Sequence, residues 1–119
     1  MENNKLIAEF MGLIESSIPN EYWTKKSTEG FGMGQMVELK YDTDWNWLMH
    51  VVDKIENIES EGQVFSFEIN RNRAHVLYAP ANYPNEKWFN NLFLHEGDTK
   101  INNTYKAVVE FINWYNEHI

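Results

Sequence analysis

Between residues 45 and 58 apolar side chains recur every three or four positions: Trp45, Leu48, Met49, Val52, Ile55 and Ile58. That period lays them along one side of an α-helix. Asp53, Glu56 and Glu59 fall on the opposite side. Asp42 or Thr43 can supply the side-chain oxygen of an N-cap, and Asp44 then sits in a first turn that favours negative charge. Gly62 closes the element. A helix that is greasy on one side only cannot stand alone. It needs a second layer to cover the stripe, and this requirement limits the chain to a layered domain.

The second layer follows directly. In "QVFSFEIN" Phe65, Phe67 and Ile69 alternate with Val64, Ser66 and Glu68. In "RAHVLYA" Ala74, Val76 and Tyr78 alternate with His75, Leu77 and Ala79. A period of two is the mark of a strand with unlike faces, and the polar "NRN" between the two runs reads as a hairpin turn. "MVELK", 36–40, offers a further edge strand. A short helix is expected over "NNKLIAEFMGLIE", with Leu6, Ile7, Phe10 and Met11 on one face and either a left-handed cap at Gly12 or another turn through Leu13 and Ile14. A long helix is expected near the C-terminus, capped by Asp98 or Thr99, with Ile101, Tyr105, Val108, Val109, Ile112 and Tyr115 as its stripe. Residues 16–34 and 80–98 read as loop from their Pro and Gly, apart from a helical turn around Trp88 to Leu92. No repeat or linker divides the chain. The expectation is a single α+β domain over 1–119: a small antiparallel sheet of two to three strands packed against two main helices, with a short N-terminal helix.

Composition narrows the function classes. Aromatic residues make up 15% of the 119, enough bulk for a packed core and contrary to disorder. There is no cysteine, which removes disulfides, thiolate metal sites and cysteine nucleophiles together. Ten basic residues stand against eighteen acidic ones, a net charge of −8. A phosphate-backbone binder shows a basic stripe. Here Lys25-Lys26 and Arg71/Arg73 are the only basic clusters, so direct nucleic-acid binding is not expected. The opening "MENNKLIAEF" does not read as a signal peptide, and no apolar run approaches a membrane span. The sequence-level expectation is a cytoplasmic protein.

Catalytic chemistry finds little purchase. The serines sit in no nucleophile elbow, and the histidines at 50, 75, 95 and 118 are scattered. Spacing offers His50 with Asp53, and His95-Glu96, as metal-ligand pairs. Both are coincidences that a chain rich in acids produces readily, and His50 reads as a surface histidine. "GFGMG" lacks the Lys-Ser/Thr of a phosphate loop and the strand-to-helix setting of a dinucleotide fingerprint. Neither catalytic nor metal residues are expected, and no cofactor.

Surface features remain. Six acids (Asp42, Asp44, Asp53, Glu56, Glu59 and Glu61) and one lysine, Lys54, lie between residues 42 and 61. Such a run is either a solvated face or a patch that steers toward a basic protein groove. Trp23, Phe31, Trp88 and Phe89 lie in weakly regular segments, where aromatics either plug a core or form contact hot spots. The candidate partner-binding set is therefore Asp53, Glu56, Glu59, Trp23, Phe31, Trp88 and Phe89.

The blocks "NKLIAEFMG" with "YDTDWNWLMHVVDKIE", and "INNTYKAVVEFINWYNE", resemble a group of small proteins from phages, prophages and mobile elements of Bacteroidetes-type bacteria. The resemblance covers about a third of the chain, mostly its helices, and carries no catalytic motif. It implies a mobile-element setting, in which small acidic proteins act by binding a host protein, inhibitors of RNA-guided defence nucleases (anti-CRISPR proteins) among them. The leading expectation is a non-enzymatic, acidic protein-binding module, monomeric or homodimeric, docking on a basic host nuclease or ribonucleoprotein. The alternatives are a housekeeping or structural accessory protein acting as a homodimer, and a small hydrolase using His50, Asp53 or His95.

Overall fold

A computed structural model describes residues 2–15, 22–23, 36–37, 39–81 and 90–118. In chain order they form α1 (Glu2–Phe10), β1 (Ile14–Glu15), β2 (Tyr22–Trp23), β3 (Met36–Val37) and α2 (Trp45–Glu56). There follow β4 (Glu59–Ser60), β5 (Gln63–Ile69), β6 (Arg73–Pro80), β7 (Asn90–Glu96) and α3 (Lys100–His118). Strands β4-β5-β6-β7 make an antiparallel meander, and β1-β2-β3 a second, minimal antiparallel sheet. The architecture is α+β, with four strands in the main sheet where two to three were expected. Among the described residues no helix is long and apolar enough to cross a membrane.

The central hairpin is built as its alternation foretells. Phe65 faces Tyr78, Phe67 faces Val76 and Ile69 faces Ala74 across the β5–β6 ladder. These residues lie on the face covered by α2 and α3, with Phe65, Val76 and Ala74 in the core cluster. The turn is held by Asn70, whose Oδ1 accepts from the amides of Asn72 and Arg73, each at 3.1 Å. At the other end Glu61 and Gly62 both take positive φ, 54° and 77°. A type I′ two-residue hairpin turn requires this of both its central residues, and it folds β4 back on β5.

Strand β7 departs from expectation. "NNLFLHE" lies in a segment read as loop, with a helical turn near Trp88 to Leu92. Its described residues from Asn90 onward are strand instead, paired to β6 with a register shift opposite Val76/Leu77. That bulge breaks the alternation, so Leu92 and Phe93 both pack on the core, and the period-two signal is lost from the sequence. The edge strand expected at 36–40 is confined to Met36–Val37, and Leu39 and Lys40 lie outside it.

Each helix is rotated slightly from its expected stripe. In α2 the buried residues are Leu48, Val51, Val52 and Ile55. Trp45, Met49 and Ile58 only border the core. Its N-cap is Asp44, not Asp42 or Thr43: Asp44 has extended backbone, and its Oδ1 accepts from the amides of Asn46 (2.8 Å) and Trp47 (3.4 Å). In α3 the buried residues are Asn103, Thr104, Ala107, Val108, Phe111 and Ile112. The helix lies against both the sheet and α1, which widens its buried arc beyond one stripe. Thr99 caps it, with Oγ1 accepting from the amide of Asn102 at 3.2 Å. Helix α1 ends at Gly12, φ 82°, where the Leu13 amide reaches back to Ala8 O at 2.9 Å and Gly12 N to Glu9 O at 3.1 Å. This is the left-handed cap that glycine provides without a Cβ penalty.

Candidate interaction surface

The six acids between Asp42 and Glu61 divide by what they touch. Asp42 Oδ1 accepts from Asn4 Nδ2 at 3.1 Å, and Asn4 Oδ1 accepts from the Tyr105 hydroxyl at 2.8 Å. The chain Tyr105–Asn4–Asp42 thus ties α3, α1 and the lead-in to α2 together. Burial, and then the negative charge of Asp42, push the Tyr105 hydroxyl up to about 12. Asp44 is occupied by its cap. Glu56 turns back onto the sheet: its Oε2 accepts from the Phe67 amide at 3.0 Å and from Ser66 Oγ at 3.4 Å. Strand β4 pairs with Gln63 and Val64, so beyond it the edge of β5 has no strand partner among the described residues, and Glu56 closes it with a side chain. Asp53, Glu59 and Glu61 are exposed and make no side-chain hydrogen bond or ion pair among the described residues. The expected patch therefore shrinks to Asp53 and Glu59, joined by Glu61. Nothing in the sequence distinguished Glu56 from them, because its partner is a strand amide eleven residues away.

The three free carboxylates share one end of the molecule. Lys100 Nζ lies 5.8 Å from the Trp45 ring centre, and Asn103 Nδ2 donates to Asn72 O at 3.0 Å. The starts of α2 and α3 and the β5–β6 turn are thereby gathered at one end. Phe65 at the start of β5 meets Phe111 and Trp114 late in α3, with ring centres 4.9 and 5.6 Å apart. The end of α2 and strand β4 lie with them at the opposite end. Arg71 and Arg73 are exposed at the turn, beside a shallow cleft of about 430 Å³ lined also by Asn70, Asn72 and Glu96. Strand β5 spans seven residues, roughly 20 Å at about 3.3 Å per residue. That exceeds the screening length of about 8 Å at physiological salt. The acidic end and the arginine tip act as separate poles.

The remaining predicted contact residues are less defined. Trp23 lies on β2, its Cα opposite Ile14 on one side and Met36 on the other. Phe31, Trp88 and Phe89 fall outside the described residues. His50 and His95, which spacing offered beside Asp53 and Glu96, have separate surroundings. His50 is exposed, and His95 Nε2 meets Glu110 Oε1 on α3 at 2.8 Å, a cross-element tie missed in the sequence. Among the described residues no three His, Cys, Asp or Glu side chains come together in a metal-binding group. His75 lies on the sheet face away from the helices, with Nδ1 3.2 Å from Asn91 Oδ1 and Nε2 buried without a hydrogen-bond partner among the described residues.

Compared with protein-family models, with curated proteins and with solved structures, the chain finds no significant match.

Proposed function

We propose that this protein is a non-enzymatic binding module that recognises a basic protein surface through its acidic end. The observation that carries the reading is the division of the carboxylates. Asp42, Asp44 and Glu56 are consumed by the fold, whereas Asp53, Glu59 and Glu61 are left exposed within nine residues of chain at one pole. Three exposed carboxylates at one end make the local potential negative, and a cationic partner is drawn toward it from a distance. The resemblance of the helical blocks to phage and mobile-element proteins makes a host defence nuclease, a basic RNA-guided effector, the partner class of first interest. On that reading the module acts as an anti-CRISPR-like inhibitor inside the host cytoplasm.

The test is affinity capture from a host lysate with the wild-type chain and with the triple variant Asp53→Lys, Glu59→Lys, Glu61→Lys, side by side. Glu56 is left intact so that the sheet edge stays closed. The expected result is a basic protein retained by the wild type and absent from the variant, whose circular dichroism is unchanged. Identical capture by the two chains would remove the acidic end from the mechanism.

A further inference from the structure

The β5–β6 turn is tied down from several sides. Besides the two amides that bond to Asn70 Oδ1, the Asn70 amide donates to Arg73 O at 3.0 Å. Asn72 O accepts from Asn103 Nδ2 at 3.0 Å and from the Gly97 amide at 3.4 Å. Asn103 is fully buried, and its Oδ1 has no hydrogen-bond partner among the described residues. A buried acceptor without a donor destabilises a fold, so this anchor is kept against a penalty. What it secures is a backbone that holds the exposed tip still, and side chains on a fixed backbone lose less freedom on binding.

Both arginines of the chain, Arg71 and Arg73, sit on this tip. They are exposed and make no side-chain hydrogen bond or ion pair among the described residues. Lysines elsewhere are engaged within the fold: Lys54 with the Phe10 carbonyl, Lys100 with the Trp45 ring and Lys106 with Asp98. Arg71 and Arg73 line one cleft of about 430 Å³ with Asn70, Asn72 and Glu96. Asn70 Oδ1 is committed to the turn, which leaves that side chain only its Nδ2 donors. The cleft is therefore rich in donors, with the Glu96 carboxylate as its single acid. Its lining contains no apolar or aromatic side chain.

We infer that this tip docks a phosphorylated serine or threonine side chain of a partner protein, its two guanidinium groups sharing the terminal oxygens. Each guanidinium is a planar fork that binds two oxygens at once. A carboxylate has only two oxygens and satisfies a single fork, whereas a phosphorylated hydroxyl presents three. Charge selects in the same direction. Two arginines against one glutamate leave the cleft with a net charge of about +1. That charge attracts a phosphomonoester, close to a dianion at neutral pH, about twice as strongly as a carboxylate or a phosphodiester. The shallow polar lining suits a phosphate projecting from a larger surface. It offers no stacking platform for a nucleobase and no apolar wall to enclose a small molecule. The site is separate from the acidic end, so it stands or falls independently of the partner proposed there.

The test is an NMR titration of the full chain, at constant ionic strength, with a blocked Gly-Ser-Gly peptide phosphorylated on its serine. The amides of Arg71, Asn72, Arg73 and Glu96 should shift and saturate in the millimolar range. The unphosphorylated peptide should move none of them, and a Gly-Glu-Gly peptide should bind about tenfold more weakly. Arg71→Gln with Arg73→Gln should abolish saturation. Glu96→Gln should tighten binding several-fold, a gain that a loss of folding cannot imitate. Shifts that never saturate, an equal response to the glutamate peptide, a double variant that binds like the wild type, or no gain from Glu96→Gln would each overturn the inference. Tighter saturation by a 5′-phosphorylated oligonucleotide would overturn the assignment to a protein partner.

Discussion

Single carboxylates in this chain have distinct jobs that their local sequence does not announce. Glu56 seals a strand edge from a neighbouring helix, and the useful contrast is between two replacements. Glu56→Gln keeps an acceptor for the Phe67 amide and should be nearly neutral in urea unfolding. Glu56→Ala leaves that amide to water and should cost about 0.5–1.5 kcal/mol, the worth of one exposed-side hydrogen bond. Asp98 has another role. Its hydrogen bond with Lys106 at 3.0 Å, and then those from the Thr99 amide and Asn102, lower its carboxyl from 3.8 to about 2. A carboxyl depressed in the folded state stabilises fully above its unfolded value, and that contribution is lost as pH falls through the folded one. The stability difference between wild type and Asp98→Asn should therefore be constant at neutral pH, shrink below 3.8 and vanish near 2. A difference that grows on acidification would show that Lys106 and Thr99 do not hold the carboxylate as the geometry indicates.

At the scale of elements, periodicity located both main helices and the central hairpin, yet it aimed the helices imperfectly. Phe111 is the largest fully buried side chain among the described residues, edge-on to Phe65 with ring centres 4.9 Å apart. It fell outside the expected stripe because α3 is buried on two sides, against the sheet and against α1. Trp45 heads the stripe of α2 and is only partly buried, with Lys100 over its ring. Chemical denaturation should rank them accordingly: Phe111→Ala loses roughly 3–5 kcal/mol, and Trp45→Ala clearly less. The reverse order would mean that α2, not α3, anchors the core. Strand β7 was illegible for a different reason. A bulge puts Leu92 and Phe93 together against the core and disrupts the alternation by which strands are recognised. The free acids were only half legible. Composition showed that residues 42–61 were acidic, but the choice of which acids the fold would consume depended on contacts from Asn4 and Phe67.

For the whole molecule, the sheet separates an acidic pole from an arginine tip by more than two screening lengths at physiological salt. The central claim is that Asp53, Glu59 and Glu61 attract a cationic protein from a distance. Its most direct test is the association rate with the captured partner across a salt series. The account predicts a wild-type rate that falls steeply as salt rises, and a slower, nearly salt-independent rate for the Asp53→Lys, Glu59→Lys, Glu61→Lys variant. Equal rates and equal slopes for the two chains would contradict it.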